Sequence, residues 1–421
     1  MNRSTSPAKS TPRPSDPVAL SYGEIKRCLA GQRLPLAFVD LDAFDRNVER
    51  TLETIRPHSI PLRPATKSLR VPFLIKRLLA HPSGQIRGVM CYSAREAEYL
   101  SGLGIDDFLL AYPPFQQADL DSVANLASEG KRIRVVVDSE ELLPRLGQTA
   151  RDHGTEVDVC LCVDMSLKLA GGSLHLGVRR SPLHSPESVV NLARRVAATH
   201  GLRFQGLMAY EAQVAGLGDA SPFEPGKNAI KSLVRKFSAR ELGERRATMV
   251  QLLRQAGLEP AIVNGGGSGS LDTTTPETGV TEVTAGSAFL KSHLFDYYRS
   301  PHMRALEPAG FFAVEVTRIP AQNLVTCAGG GYIASGPTTA DKAPLPHLPL
   351  GLKLLDAEMA GEVQTPLAIP AGLNLERGDP VIFRHAKAGE LAERFNEYVL
   401  IQHGKVLDRV PTYRGDGQCF L

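Results

Sequence analysis

The sequence predicts an α/β protein, a (β/α)8 barrel of TIM type followed by a C-terminal mainly-β domain. Three observations carry this. Short apolar runs alternate with amphipathic segments through residues 36–305. Glycine-rich turns follow the last two of those runs, Asn264-Gly-Gly-Gly-Ser-Gly269 and Thr284-Ala-Gly-Ser287. Beyond residue 305 the helical period disappears and alternation takes over, as in Phe311-Phe-Ala-Val-Glu-Val-Thr-Arg-Ile319.

Leu36-Ala-Phe-Val-Asp40 leads into 41–55, where Phe44, Val48, Leu52 and Ile55 recur at helical spacing. Strands are then expected at 58–64, 87–92, 107–111, 132–137, 156–163, 203–209, 260–264 and 280–285. Helices are expected between them at 70–80, 94–102, 116–129, 139–153, 186–200 and 239–256, with Gly and Asp at the joints. Repeated strand–helix units give parallel strands, and eight of them in about 250 residues match the size of a closed barrel. An open doubly wound sheet is the alternative. The second domain, expected over 306–421, carries short apolar runs at 323–327, 350–355, 380–384 and 397–407, and residues 18–35 are expected to pack against it. The Ser-, Thr- and Pro-rich segment 1–17 has no apolar core and reads as a disordered tail.

A chain of 421 residues with 43% hydrophobic and 22% charged residues can bury cores that need no staples. Its 48 basic residues nearly balance 45 acidic ones, giving a net charge of +3 and no electrostatic case for nucleic acid or membrane binding. The six cysteines lack framework spacing and read as small buried hydrophobes; Cys160 and Cys162 share one face of a strand. No apolar run reaches the roughly twenty residues needed to span a bilayer, so the cytoplasm is the expected address.

In βα barrels functional groups sit at the C-terminal ends of strands, and phosphate favours the loops after strands seven and eight. The two glycine turns occupy those loops. Gly266, Gly267, Gly269 and Gly286 let backbone N–H groups converge on an anion, and Ser268 and Ser287 add hydroxyls. A dinucleotide fold is excluded, since no G-x-G-x-x-G follows the first strand, and no Walker lysine is present. Lys67, just beyond strand one, can form an imine with an aldehyde cofactor through its neutral amine; a surface lysine is the plain alternative.

From Leu36 to Tyr298, and again from Asp379 to Gly417, the chain resembles the fold-type III pyridoxal phosphate enzymes, in particular the D-threonine aldolase and D-serine dehydratase-like branch. The family motif Arg-Pro-His-x-Lys-Thr stands here as Arg63-Pro64-Ala65-Thr66-Lys67-Ser68. The resemblance implies pyridoxal 5'-phosphate linked to Lys67, with Arg63 in the cofactor site. It places His175 where the family carries an arginine near the cofactor phenolate, Tyr210 beside the pyridine ring, and Thr284 opposite the pyridine nitrogen. It also implies a head-to-tail homodimer and a small D-configured amino acid as substrate.

One departure bears on the reaction. The family's divalent-metal motif, His-x-Cys or His-x-Asp, matches Arg384-His385-Ala386-Lys387-Ala388-Gly389-Glu390, with lysine at the second ligand position. A charged ammonium cannot ligate a metal. Either Lys387 supplies its own cation to an oxygen of the substrate, or His385 binds metal together with Glu390 or Glu393, or Lys387 is an interface salt bridge. The resemblance thus implies a lyase of D-β-hydroxy amino acids, by aldol cleavage or deaminating dehydration. An amino acid racemase, using Tyr332, Tyr398 or Tyr413 as second base, and a non-enzymatic pyridoxal phosphate carrier are the alternatives. The run Pro411–Gly417 reads either as a loop at the site mouth or as a solvated terminus.

Overall fold

The computed structural model describes residues 19–169, 174–331 and 333–420; the expected tail over 1–17 and Tyr332 lie outside them. Eight parallel strands form one sheet in chain order: Leu62–Pro64, Val89–Cys91, Phe108–Leu110, Ile133–Val137, Val157–Cys162, Leu202–Met208, Ile262–Gly265 and Glu282–Ala285. The eighth pairs back onto the first, with Val283 opposite Leu62 and Ala285 opposite Pro64. Bridges from Leu62 to Ile86 and from Ala65 to Met90 link the first to the second. Every strand therefore has two neighbours. The sheet is a closed barrel, and the open doubly wound alternative falls away.

In Ile133–Val137 and Val157–Cys162 every residue but Arg134 and Asp158 is buried, and the strands read as apolar runs because parallel strands are covered on both sides. Their outward side chains meet amphipathic helices such as Ala94–Gly102, Gln117–Ser128 and Pro186–Ala198. Inside the barrel, Leu109, Val136, Cys160, Cys162 and Met208 form a small apolar layer. Beside it lies a charged network. Arg63 donates to Glu282 at 2.8 and 3.0 Å and to Asp107 at 2.9 Å, and Arg134 reaches Asp107 at 2.7 Å. Buried charges persist where each is paired and hydrogen-bonded.

The second sheet has nine strands and is antiparallel apart from one pairing. Its centre is Leu36–Asp40, which pairs antiparallel with Gly310–Ala321 and parallel with Glu397–Gln402. The expectation that residue 36 opens the barrel region is thus corrected. Five fully buried apolar-rich residues look the same in a barrel and in a covered sheet centre, so the pattern does not name the partner. Ile25 and Leu29 pack with Phe38, Phe311, Ile382 and Val399, and the helix Tyr22–Cys28 lies on this sheet as expected. All six cysteines are free; four are buried, Cys28 is half-buried and Cys419 is exposed.

Some elements differ from the sequence reading. The run 397–407 is a hairpin, Glu397–Gln402 and Lys405–Pro411, turning at His403, whose φ is +52°. Strands Leu345–Leu348 and Gln364–Ala368 lie in proline-containing stretches with no clean alternation. The helix expected at 239–256 spans Asn228–Gln255. Its first turns carry Ile230, Leu233 and Phe237 to solvent, so no inward apolar stripe announces them.

Candidate active site

Lys67 lies in the single turn Thr66–Ser68, directly after the first barrel strand and at its C-terminal end. The turn is fixed by backbone contacts. Arg70, with φ +52°, donates from Nε to the Lys67 carbonyl at 3.1 Å. Gly389 presses on the same carbonyl: a Cβ there would stand 1.8 Å from the Lys67 oxygen, so only glycine fits. Lys67 lines two spaces, which share Ser68 and Ser287 as well. One is an inner cavity of about 150 Å³ within the barrel mouth. The other is an outer vestibule of about 990 Å³ where the second domain approaches. Burial first, then the charges of Arg180, Lys387 and Arg70, lower the Lys67 pKa from its ordinary value and favour the neutral amine.

The glycine turns bound the far side of the inner cavity. Ser268 Oγ accepts from the Gly286 N–H at 3.3 Å and the Ala288 N–H at 2.9 Å, while the hydroxyls of Ser68 and Ser287 lie 3.3 Å apart. The two glycine loops are therefore tied together at the Ser268 hydroxyl. Gly267 has no room for a side chain, since a Cβ would fall 2.7 Å from the Ala215 Cβ and 2.9 Å from the Tyr210 ring. Three of the expected backbone donors are engaged within the protein: the Gly266 N–H goes to Glu211 at 3.2 Å, the Gly267 N–H to Ser270 at 3.0 Å and the Gly286 N–H to Ser268. Gly269 packs on Ala215 and Tyr298, and its carbonyl accepts from Arg235. Glu211 is buried and also receives Arg246 at 3.0 Å and Ser270 at 2.8 Å, so it braces the glycine loop from behind.

Tyr210 forms a wall of the inner cavity, its phenol pushed up to about 12 by burial and then by Glu211. Thr284 lines the cavity and accepts from Asn264 Nδ2 at 2.8 Å, leaving its own O–H free to donate. Arg63 is not in this lining. It sits in the charged network below, spent on Glu282 and Asp107. His175 is likewise elsewhere, half-buried on a two-stranded ribbon with Nε2 3.4 Å from the Val178 carbonyl. The cation inside the cavity is Arg180, whose guanidinium lies 5.5 Å from the centres of both the Tyr112 and Tyr210 rings. Sequence reasoning missed Arg180, Glu211 and Asn264. The available signals were an Arg179-Arg180 pair five residues beyond His175 and polar residues at strand ends.

These residues fit pyridoxal phosphate: a lysine and two glycine loops line one cavity walled by an aromatic ring. They do not fit a metal. Among the described residues no group of three or more His, Cys, Asp and Glu side chains could hold an ion. His385 is 1% exposed, its pKa lowered to about 4 chiefly by burial, and its Nδ1 lies 2.8 Å from the Lys387 carbonyl. Glu393 pairs with Arg70. Glu390 accepts from the Ser335 backbone at 3.0 Å and from its hydroxyl at 2.5 Å. Lys387 reaches the vestibule, where Nζ donates to the Ser335 carbonyl at 2.9 Å and hydroxyl at 2.5 Å, with Glu390 at 3.5 Å. Tyr398 and Tyr413 are buried within this chain and line neither space.

Known proteins share this architecture. The solved D-threonine aldolase of Filomicrobium marinum superposes with a TM-score of 0.76 at 22% identity, over 92% of this chain and 96% of that one. The 3-hydroxy-D-aspartate aldolase of Paracoccus denitrificans (strain Pd 1222) is 27% identical over 236 residues, 56% of this chain and 54% of that protein. The D-threonine aldolase of an Arthrobacter species is 28% identical over 259 residues, 62% of this chain and 61% of that protein. The chain thus spans little more than half the length of the curated relatives it matches. The family model for the alanine racemase N-terminal domain covers residues 39–292, and the chain belongs to that family.

Proposed function

We propose that this protein is a pyridoxal phosphate-dependent lyase of D-β-hydroxy amino acids, with retro-aldol cleavage as its favoured reaction and deaminating dehydration as the alternative. The observation that carries the reading is Lys67, which lines both the inner cavity and the vestibule and shares the inner cavity with Ser268, Gly286 and Ser287. The names of the relatives supply the substrate class: 3-hydroxy-D-aspartate aldolase, D-threonine aldolase and D-threo-3-hydroxyaspartate dehydratase.

The cofactor supplies an electron sink for the bond broken at the substrate α-carbon. Lys67 would hold it through the amine and would serve as a proton carrier beside it. The loops joined at Ser268 would hold the phosphate, Tyr210 would pack against the cofactor, and Thr284 would offer a neutral hydroxyl. Arg180 offers a cation to an anionic group lying between itself and Lys67. Lys387 takes the part of the metal, its ammonium stabilising negative charge on the substrate β-oxygen. The phenol of Tyr413 and the ring of Tyr398 are enclosed, which disfavours their use as a racemase's second base.

Product analysis tests the reading. D-Threonine and D-3-hydroxyaspartate should yield glycine with the matching aldehyde. Keto acid with ammonia would select dehydration, and interconversion of enantiomers without cleavage would replace the lyase by a racemase.

A further inference from the structure

Behind the Lys67 turn lies a buried carboxyl group that the reaction does not touch. Glu96, 0% exposed, sits in the first turn of the helix Ala94–Gly102. It accepts from the Tyr92 N–H at 2.9 Å and from the Tyr413 hydroxyl at 2.9 Å. The Thr66 hydroxyl, one residue before Lys67, lies against the same carboxyl and donates to the Met90 carbonyl at 2.9 Å. Tyr413 comes from the far end of the chain and is held by the Tyr99 and Phe420 rings, each with its centre 5.4 Å away. Its backbone N–H donates to the Arg70 carbonyl at 2.9 Å. Arg70 in turn donates to the Lys67 carbonyl and lies 5.1 Å over the Tyr92 ring. The segment 411–417 is therefore neither a mouth loop nor a solvated end at its root. It closes two hydrogen-bonded paths to the Lys67 turn, one through Glu96 and Thr66, the other through Arg70.

We propose that Glu96 and Tyr413 are positioning residues for Lys67, coupling the C-terminal segment to the orientation of the lysine through the Thr66–Arg70 turn. This rests on the reading of Lys67 as the cofactor lysine. The groups facing Glu96 are Thr66, Cys91, Tyr92, Tyr413 and the Arg70 cation. Burial raises the Glu96 pKa to about 7, against the lowering effects of Thr66, Tyr92, Tyr413 and Arg70. As a carboxylate it accepts from the Tyr92 N–H and the Tyr413 hydroxyl. Once protonated, one oxygen becomes a donor and a poorer acceptor, so the contact it receives weakens. The form that costs most to bury is thus the form that holds both contacts at full strength.

The test uses the pyridoxal phosphate-loaded enzyme, measuring kcat, KM and cofactor absorbance between about pH 5 and 9. In the wild type kcat should rise through a single ionisation near 7, with KM little changed. Glu96→Gln should remove that ionisation, and Tyr413→Phe, which deletes a donor to the carboxylate, should move its midpoint upward. If both variants keep the wild-type profile, the positioning role is overturned. Borohydride trapping of the cofactor on Lys67, read as a modified peptide, separates the two claims. No trapped peptide in the wild type refutes the cofactor site itself. A trapped peptide with unchanged pH profiles refutes the coupling alone.

Discussion

The inner cavity and the outer vestibule share Lys67 but are built on different terms. The cavity is a product of barrel closure. Its donors hang from the ends of strands seven and eight, Glu211 and Arg246 brace them, and the Arg63–Glu282–Asp107 network underlies them. The vestibule is assembled from two domains, with Lys387, Ser335 and Glu390 brought over by the second one. Backbone geometry sets the shape of the inner cavity. The group that meets the rest of the substrate depends on a few side chains in the second domain, and these can change without disturbing the barrel. A lysine at the second position of a metal motif is such a change.

Replacing Lys67 with Ala is the severest way to break this comparison, because it removes the group common to both spaces. Turnover should fall by at least about 10³-fold, since covalent attachment and proton transfer are lost together. Borohydride should no longer label the 66–68 turn, and a variant that still turns over substrate would end the assignment. Lys387→Met then separates the two regions. It keeps the side-chain stem while deleting the charge, so kcat should drop about 10²-fold, the usual cost of one oxyanion partner. Cofactor affinity should stay within error. Chelation with EDTA should leave the wild type active; loss of activity on chelation, restored by a divalent ion, would return the vestibule to metal chemistry.

Gly267→Ala acts on the other side of the division. The added methyl meets the Ala215 Cβ at 2.7 Å and the Tyr210 ring at 2.9 Å, so the loop must shift. Overpacking of this kind costs about 1–3 kcal/mol, roughly 10- to 100-fold in pyridoxal phosphate affinity. At saturating cofactor kcat should recover most of its value. Unchanged affinity would place the anion cradle elsewhere.

The barrel was legible because its strands are buried on both faces and alternate with helices of clear period. The two glycine runs were legible because they fell at the ends of the last two barrel strands, where the inner cavity opens. What stayed hidden has physical reasons. Arg63 stands in the same motif as Lys67, yet it lies within the strand and points into the charged barrel interior, whereas Lys67 falls in the turn beyond the strand. His175 was placed by alignment with an arginine, while the guanidinium in the cavity belongs to Arg180, reached through a different course of the chain. The partners of Leu36–Asp40 are more than 250 residues away in sequence, and no local pattern encodes them. Lys387 could be read as a lost ligand, but not that its ammonium would rest on Ser335.

The seam between the two regions gives the smallest expected effect and the most specific one. Burial pushes the Glu96 carboxyl up to about 7, well above its ordinary value, so the folded state holds its proton more tightly than the unfolded chain does. Its contribution to stability is complete below about pH 4.5 and is lost as pH rises through about 7, in total on the order of 3 kcal/mol. Glu96→Gln cannot ionise and lacks this dependence. In acid Glu96 is neutral too, so the two proteins should be close in stability there. As pH rises from about 5 to 8 the wild type should lose stability relative to the variant when the two are melted side by side. A gap that stays constant across that range would mean that Glu96 keeps one charge state throughout. The C-terminal segment would then hold the Lys67 turn by packing alone.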